Sequence, residues 1–148
     1  MNFRITPVLI TVFSVGLFHS FSQAPAKQWD ADFGGSEIEQ LSAAQQTKDG
    51  GYIFGGYSES DISGDVTQAN RGSSDYWVVK TDANGIKQWD ARFGGTSVDR
   101  LTALQQTTDG GYILGGISFS GIGGDKTQPN KGVNDYWIVK INAKGKKQ

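Results

Sequence analysis

Asp49-Gly50-Gly51-Tyr52-Ile53-Phe54-Gly55-Gly56 returns 60 residues later as Asp109-Gly110-Gly111-Tyr112-Ile113-Leu114-Gly115-Gly116. Each copy reads as a tight turn followed by a strand. The Asp-Gly-Gly triplet supplies the positive-φ residues that a two-stranded hairpin needs, and the aromatic and β-branched residues after it suit a pleated, half-buried surface. The other arm of the hairpin is Leu41 to Thr47, or Leu101 to Thr107 in the second copy. A loop of about 18 residues then leads to Tyr76 to Asp82 or Tyr136 to Asn142, nearly continuous apolar runs of the kind buried on both faces. Asn84-Gly85, replaced by Lys144-Gly145, turns the chain again. It enters Gln88 to Phe93, where Trp89, Ala91 and Phe93 alternate with Asp90 and Arg92 in the period-two pattern of a strand. Asp90 and its equivalent Asp30 are thereby expected to point outward.

The repetition extends well beyond the hairpin. Lys27–Ile86 aligns without gaps on Lys87–Lys146, with 36 identities over 60 positions, and Lys147-Gln148 opens a third period. All four tryptophans fall on equivalent positions, Trp29 with Trp89 and Trp77 with Trp137, as expected of residues that serve the packing of every unit. The reading is an all-β chain, organised as a β-propeller-type repeat of two four-stranded antiparallel blades in an incomplete propeller. Residues 27–86 form repeat 1, residues 87–146 repeat 2, and residues 147–148 the start of a truncated third.

Gly50-Gly51-Tyr52-Ile53-Phe54-Gly55-Gly56, then Asp75-Tyr76-Trp77-Val78-Val79, then Lys87-Gln88-Trp89 resembles a kelch-type blade. The combination of Phe-Gly-Gly, Asp-Gly-Gly-Tyr-Ile and Asp-Tyr-Trp is similar to repeat proteins that gliding Gram-negative bacteria export through the type IX secretion system. The resemblance covers residues 27–148 and implies a propeller fold and an extracellular or cell-surface setting. It implies no particular activity, because propellers carry many unrelated ones. Relatives of that group usually hold more repeats and a C-terminal sorting domain, and this sequence has neither. By the kelch pattern Leu41 to Thr47 and Leu101 to Thr107 are inner strands and the tryptophan strands are outer ones. Lys27 to Gly35 is then an outer strand without a blade, and the second blade lacks that strand. With two blades against about 4 to 8 in known propellers, the expectation is a fragment of a longer repeat protein, or a homo-oligomer if the chain is complete.

The N-terminus reads as an export signal. Met1 to Arg4 carry one positive charge, Ile5 to Phe18 form a 14-residue mostly apolar run, and Ser20 to Ala26 supply small residues. Cleavage after Ala26 and cleavage after Ser22 both satisfy the small-residue rule, and residues 1–26 are taken as the signal peptide. An apolar run of 14 residues falls short of the roughly 20 that span a bilayer, so no membrane insertion is expected after processing.

Composition narrows the chemistry. Fourteen Lys and Arg against 15 Asp and Glu give a net charge of −1, without the basic excess of a nucleic-acid binder. There is no cysteine, and the only histidine, His19, lies in the signal segment. The mature chain thus has no imidazole or thiol for nucleophilic catalysis or soft metals. Ser58 and Ser118 stand in near-matches to a nucleophile elbow that lack the closing glycine. Gly123-Gly124-Asp125-Lys126-Thr127 resembles the end of a phosphate loop, but Asp125 stands where a glycine belongs. No catalytic residues and no cofactor are expected. Calcium is the one metal considered: Asp61, Ser63 and Asp65 place oxygens at alternate positions, yet the twelfth residue of that loop is Gly72 rather than glutamate. An Asx-type turn accounts for the same spacing. Asp75 and Asp135, before their Tyr-Trp pairs, are expected to accept backbone amides at the strand entrance.

Positions that differ between the copies gather in three loops: Ser36 to Gln40 against Thr96 to Arg100, Tyr57 to Ser63 against Ile117 to Gly123, and Ala69 to Ser74 against Pro129 to Asn134. The candidate binding residues are Glu37, Glu39, Tyr57, Glu59, Arg100 and Phe119. Constant strands with varying loops fit a recognition module for an extracellular protein or glycan. The alternatives are an accessory module of a polysaccharide-degrading enzyme and a small self-assembling lectin.

Overall fold

The computed structural model describes residues 28–148, which fold into strands without a helix. The signal-peptide reading of residues 1–26 lies outside the described residues. Strands β1 (Glu39–Gln46), β2 (Tyr52–Ser58), β3 (Asp75–Thr81) and β4 (Lys87–Phe93) form one antiparallel sheet in chain order. Strands β5 (Asp99–Gln106), β6 (Tyr112–Ser118) and β7 (Asp135–Ile141) form a second sheet in the same sense.

The repeat in sequence is a repeat in register. Gln46 faces Tyr52 and Gln106 faces Tyr112, Gly56 faces Trp77 and Gly116 faces Trp137, and the same bulge interrupts β1 at Leu41/Ala43 and β5 at Leu101/Ala103. The hairpin chemistry is as read. Gly50 and Gly110 hold φ of 85° and 81°, and the Asp49 and Asp109 carboxylates accept the Gly51 and Gly111 amides at 3.1 and 3.0 Å.

The expectation of two four-stranded sheets is met by the first only. The strand that would complete the second sheet starts at Lys147, which reaches β7 through a single bridge to Ile141. Residues 28–35, expected as an outer strand, are not one either, because a strand needs a hydrogen-bonded neighbour and none of the described strands runs beside them.

The sheets stack face to face. Ile53, Tyr76, Val78 and Phe93 of the first meet Leu101, Leu114, Trp137 and Val139 of the second in the main core. Trp77 and Val79 point the other way, with Phe54 of β2, and meet Val66 and Phe33. β3 is therefore buried along its whole length, as its apolar run implies, and Trp77 and Trp137 are both buried. β7 shares five of its seven residues but is covered on one face only, leaving Tyr136 90% and Ile138 58% exposed.

Asp90 corrects another expectation. Its carboxylate does not face solvent but accepts the Trp77 indole N–H at 3.1 Å, the Thr67 amide at 3.1 Å and the Thr67 hydroxyl at 2.8 Å. Burial pushes the carboxyl up, yet these donors and Lys87 outweigh burial and hold it below its ordinary value.

Residues 28–35 lie on the first sheet as β4 lies on the second. The Trp29 ring meets Tyr52 edge-on at 5.3 Å, and Trp89 meets Tyr112 at 6.2 Å. The Asp65 amide donates to the Gly34 carbonyl at 2.7 Å, and the Asp125 amide to the Gly94 carbonyl at 2.8 Å. Gly85 has no room for a Cβ because of the Trp29 ring, and Gly145 none because of Trp89.

Candidate functional site

An antiparallel meander sends all its odd turns to one end and all its even turns to the other. The tight turns at Asp49-Gly50, Asp82 to Gly85, Asp109-Gly110 and Asn142 to Gly145 share one end, where the Asp-Gly-Gly turn is the same in both copies and the other turn differs at Asp82/Asn142 and Asn84/Lys144. The connections before β1, between β2 and β3, between β4 and β5 and between β6 and β7 share the other. All three loop regions that differ between the copies therefore fall at one end of the molecule. Ile38, Ile62, Phe119, Ile122 and Val133, five of the nine large exposed apolar residues among the described residues, lie there as well.

Interlocked hydrogen bonds hold these loops. The Glu59 amide donates to the Ile38 carbonyl and the Phe119 amide to the Val98 carbonyl, each at 2.9 Å. Arg71 Nε pairs with Asp125 at 3.2 Å, joining the long loop of one sheet to that of the next. The loop end is thus a built surface.

Of the candidate binding residues, three converge. The Arg100 guanidinium lies 4.5 Å over the Tyr57 ring and 3.8 Å from the Glu59 carboxylate. Tyr57 is largely covered, and its hydroxyl donates to Gln40 Oε1 at 2.8 Å. Arg100 and Glu59 keep 43% and 33% of their side chains exposed, so the charged rim of this cluster is open to a partner. Phe119, the repeat equivalent of Glu59, is 38% exposed at the edge of the second sheet. Glu37 is exposed, and only its backbone is engaged, its amide donating to Ser60 Oγ at 2.8 Å. Glu39 is placed differently from the loop position expected for it: it opens β1 and accepts Ser58 Oγ at 2.8 Å, Ser60 Oγ at 2.6 Å and the Gly35 amide at 3.0 Å. Burial pushes its carboxyl up, but these donors and Arg92 bring it below the usual value.

The calcium candidates serve separate contacts. Asp61 Oδ1 accepts the Asn70 amide at 3.2 Å, Ser63 Oγ accepts the Ser36 amide at 3.0 Å, and Asp65 Oδ2 accepts the Gly34 amide at 3.3 Å. Among the described residues no group of three or more His, Cys, Asp or Glu is placed to hold a metal ion.

A buried ionic seam beneath the loops went unread in the sequence. Arg92 donates through Nη2 to Ser58 Oγ and to the Ser60 carbonyl, both at 2.7 Å, and through Nη1 to the Gln68 carbonyl at 3.1 Å. In the second sheet Lys126 Nζ takes the equivalent groups, Ser118 Oγ at 3.0 Å and the Ser120 carbonyl at 2.7 Å. The sequence signal is paired substitution: position 92 is Arg where its repeat equivalent is Asp32, and position 126 is Lys where its equivalent is Val66. The cation has moved from the outer strand to the loop. Asp75 accepts the Arg71 amide at 2.8 Å and Asp135 the Lys131 amide at 2.7 Å, the strand-entrance role expected of both. Burial pushes the Asp75 carboxyl up to about 6, against the lowering influence of the Arg71 amide and Arg92. Asp75 has no exposed surface, so no solute reaches it.

No family model matches the chain, and no curated protein matches its sequence.

Proposed function

We propose that this chain is an exported, non-catalytic β-propeller-type repeat module that binds an extracellular protein or glycan through its loop end. One observation carries the reading: 13 of the 24 positions where the repeats differ, and five of the nine large exposed apolar residues among the described residues, lie in loop regions that share a single end of the two sheets. A rigid scaffold that presents variable loops is the common arrangement of a recognition surface. Export rests on the layout of residues 1–26. The propeller reading is favoured by the face-to-face stacking of the two meanders and by the way residues 28–35 reproduce the second sheet's contacts with β4 on the first sheet. The absence of catalysis is favoured by the chemistry of the end itself, where Arg100, Glu59 and Tyr57 offer charge and an aromatic face but no activated nucleophile.

The test is a binding screen of the exported chain against a glycan panel and against surface extracts of the producing cells. Phe119→Ala and Arg100→Ala are expected to weaken the captured interaction roughly tenfold or more, with Ile86→Ser at the opposite end as the control that changes nothing. Binding that is indifferent to both loop variants, or no binding in either screen, overturns the proposal.

A further inference from the structure

The contact between the two sheets joins one face of the first to the opposite face of the second. Tyr76 on β3 donates its hydroxyl to the Trp137 carbonyl at 2.9 Å, with the rings 5.0 Å apart, and it sits over Gly116, where a Cβ would strike its hydroxyl. Val78 beside it is wholly buried, and so is Leu101 on the other side, whose methyl groups, together with the closer Leu104 (Ala44 in the first sheet), fill the space that a Cβ on Gly55 would need.

Both halves of this contact occur a second time on the chain, unused. The equivalents of Tyr76 and Val78 are Tyr136 and Ile138, 90% and 58% exposed on the outer face of the second sheet. The equivalent of Leu101 is Leu41, 62% exposed on the outer face of the first. Leu41, Gly56 and Trp77, equivalents of Leu101, Gly116 and Trp137, line a cleft of about 240 Å³ on that face together with Phe33 and Phe54. Gly115, the equivalent of Gly55, has only Ile138 near it, leaving room for a leucine.

From this complementarity we infer that the chain associates head to tail with a second copy of itself. Tyr136 of one copy enters the cleft over Gly56 of the next, and its hydroxyl donates to the carbonyl of Trp77 there. Leu41 of that next copy fills the space over Gly115. The same step carries residues 29–33 of the next copy alongside β7, beyond the Lys147 bridge, where they supply a fourth strand. The register follows from the pairing of β3 with β4, in which Tyr76 faces Phe93, Val78 faces Ala91 and Lys80 faces Trp89. Across the junction Tyr136 then faces Phe33, Ile138 faces Ala31 and Lys140 faces Trp29.

Charge supports this occupant. In the first sheet the outer strand brings Arg92 to the Ser58 and Ser60 oxygens. In the second sheet Lys126 already fills the equivalent position, so an incoming arginine would meet a like charge. The residue that residues 29–33 bring to that place is Asp32, of the opposite sign. The loop cluster changes in step. Arg100 meets Tyr57 and Glu59 within the chain, whereas across the junction its equivalent Gln40 meets Ile117 and Phe119, with no charge left unpaired. A contact that joins different faces repeats until it closes, and with two sheets in each chain and about 4 to 8 blades in a ring, closure takes about two to four chains.

The test begins with light scattering on the chain expressed from its full sequence in an exporting host. The expected result is a discrete oligomer. Leu41→Lys damages one face and Tyr136→Lys the other, and each is expected to weaken association by roughly thirtyfold or more and to run as a monomer. An equimolar mixture of the two variants keeps one intact junction and forms a dimer that grows no further, which also shows that both variants fold. Asp32→Lys weakens the oligomer without altering the monomer's melting. Cysteines introduced at Ala31 and Ile138, in a chain that has none, cross-link copies to one another. A wild-type chain that stays monomeric, as it would if further repeats of a longer polypeptide were the natural occupants of these faces, overturns the proposal. So does a variant mixture that fails to dimerise.

Discussion

The Arg92 guanidinium lies 3.8 Å from the Asp75 carboxylate, and neither side chain has any exposed surface. Burial dominates the carboxyl and pushes it up to about 6, from an ordinary 3.8, in spite of the cation beside it. The folded chain therefore binds a proton between those values that the unfolded chain does not, and stability rises as pH falls through about 6. The carboxylates with lowered values oppose this at the acid side: Glu39 from its ordinary 4.5 downward, and Asp49, held at about 2 by Thr47 and Lys80, from 3.8 downward. The expected gain between pH 7.5 and pH 5 is on the order of 1 kcal/mol, read from urea unfolding. Asp75→Asn should flatten that rise. A wild-type stability that is level or falls over the same interval refutes the assignment.

Arg92 also serves as the test of how the first sheet is locked. Arg92→Met would strip from buried Asp75 its ion partner at 3.8 Å and leave the Ser60 carbonyl without the Nη2 donor, at a cost of about 3–5 kcal/mol in chemical unfolding. Arg92→Lys should cost less, because Lys126 already satisfies the equivalent Ser118 and Ser120 oxygens with an ammonium. Equal losses for the two variants would mean that packing, rather than charge, sets the role of this position.

Tyr76 and Tyr136 offer a comparison at fixed chemistry. Tyr76→Phe removes the hydrogen bond to the buried Trp137 carbonyl and is expected to cost about 1–2 kcal/mol within the chain. Tyr136→Phe touches a side chain that is 90% exposed, so the unfolding of the dissociated monomer should not change. Thermal melting of both variants at high dilution separates the two. A matching loss at Tyr136 would show that its environment differs from the one described.

Much of the fold was legible because its signals are local. Turn chemistry placed a strand directly after Asp109-Gly110-Gly111, and β6 begins there, at Tyr112, and runs to Ser118. The two-faced burial of β3 was also readable from its apolar run. The same reasoning could not separate β3 from β7, since the two strands share five of seven residues, with Ile138 for Val78 and Ile141 for Thr81, and differ mainly in what lies against them. Asp90 was misread for a related reason: alternation assigns it to the outer face, but the Thr67 segment folds over that face and covers it. Of the site, the loops were found and their interior was not. Glu39, Arg92 and Lys126 act through serines and carbonyls that are distant in sequence, and such pairings leave a trace only in the paired substitutions between repeats.

Glycine placement separates turn strain from close approach. Gly50 sits at φ 85° with open space around it, so Gly50→Asn, which tolerates the left-handed region, should cost only about 1 kcal/mol or less. Gly56 lies in β2, where an added Cβ would stand 1.7 Å from the Gln40 carbonyl oxygen, and backbone cannot yield as a side-chain tip can. Gly56→Ala is expected to cost upwards of about 2 kcal/mol by prying β1 from β2. Urea midpoints of the two variants give the comparison directly, and amide exchange should show the loss at Gly56 concentrated in β1 and the start of the loop end. If Gly50→Asn proved the more damaging change, the hairpin turn rather than the β1–β2 contact would be the point on which the first sheet depends.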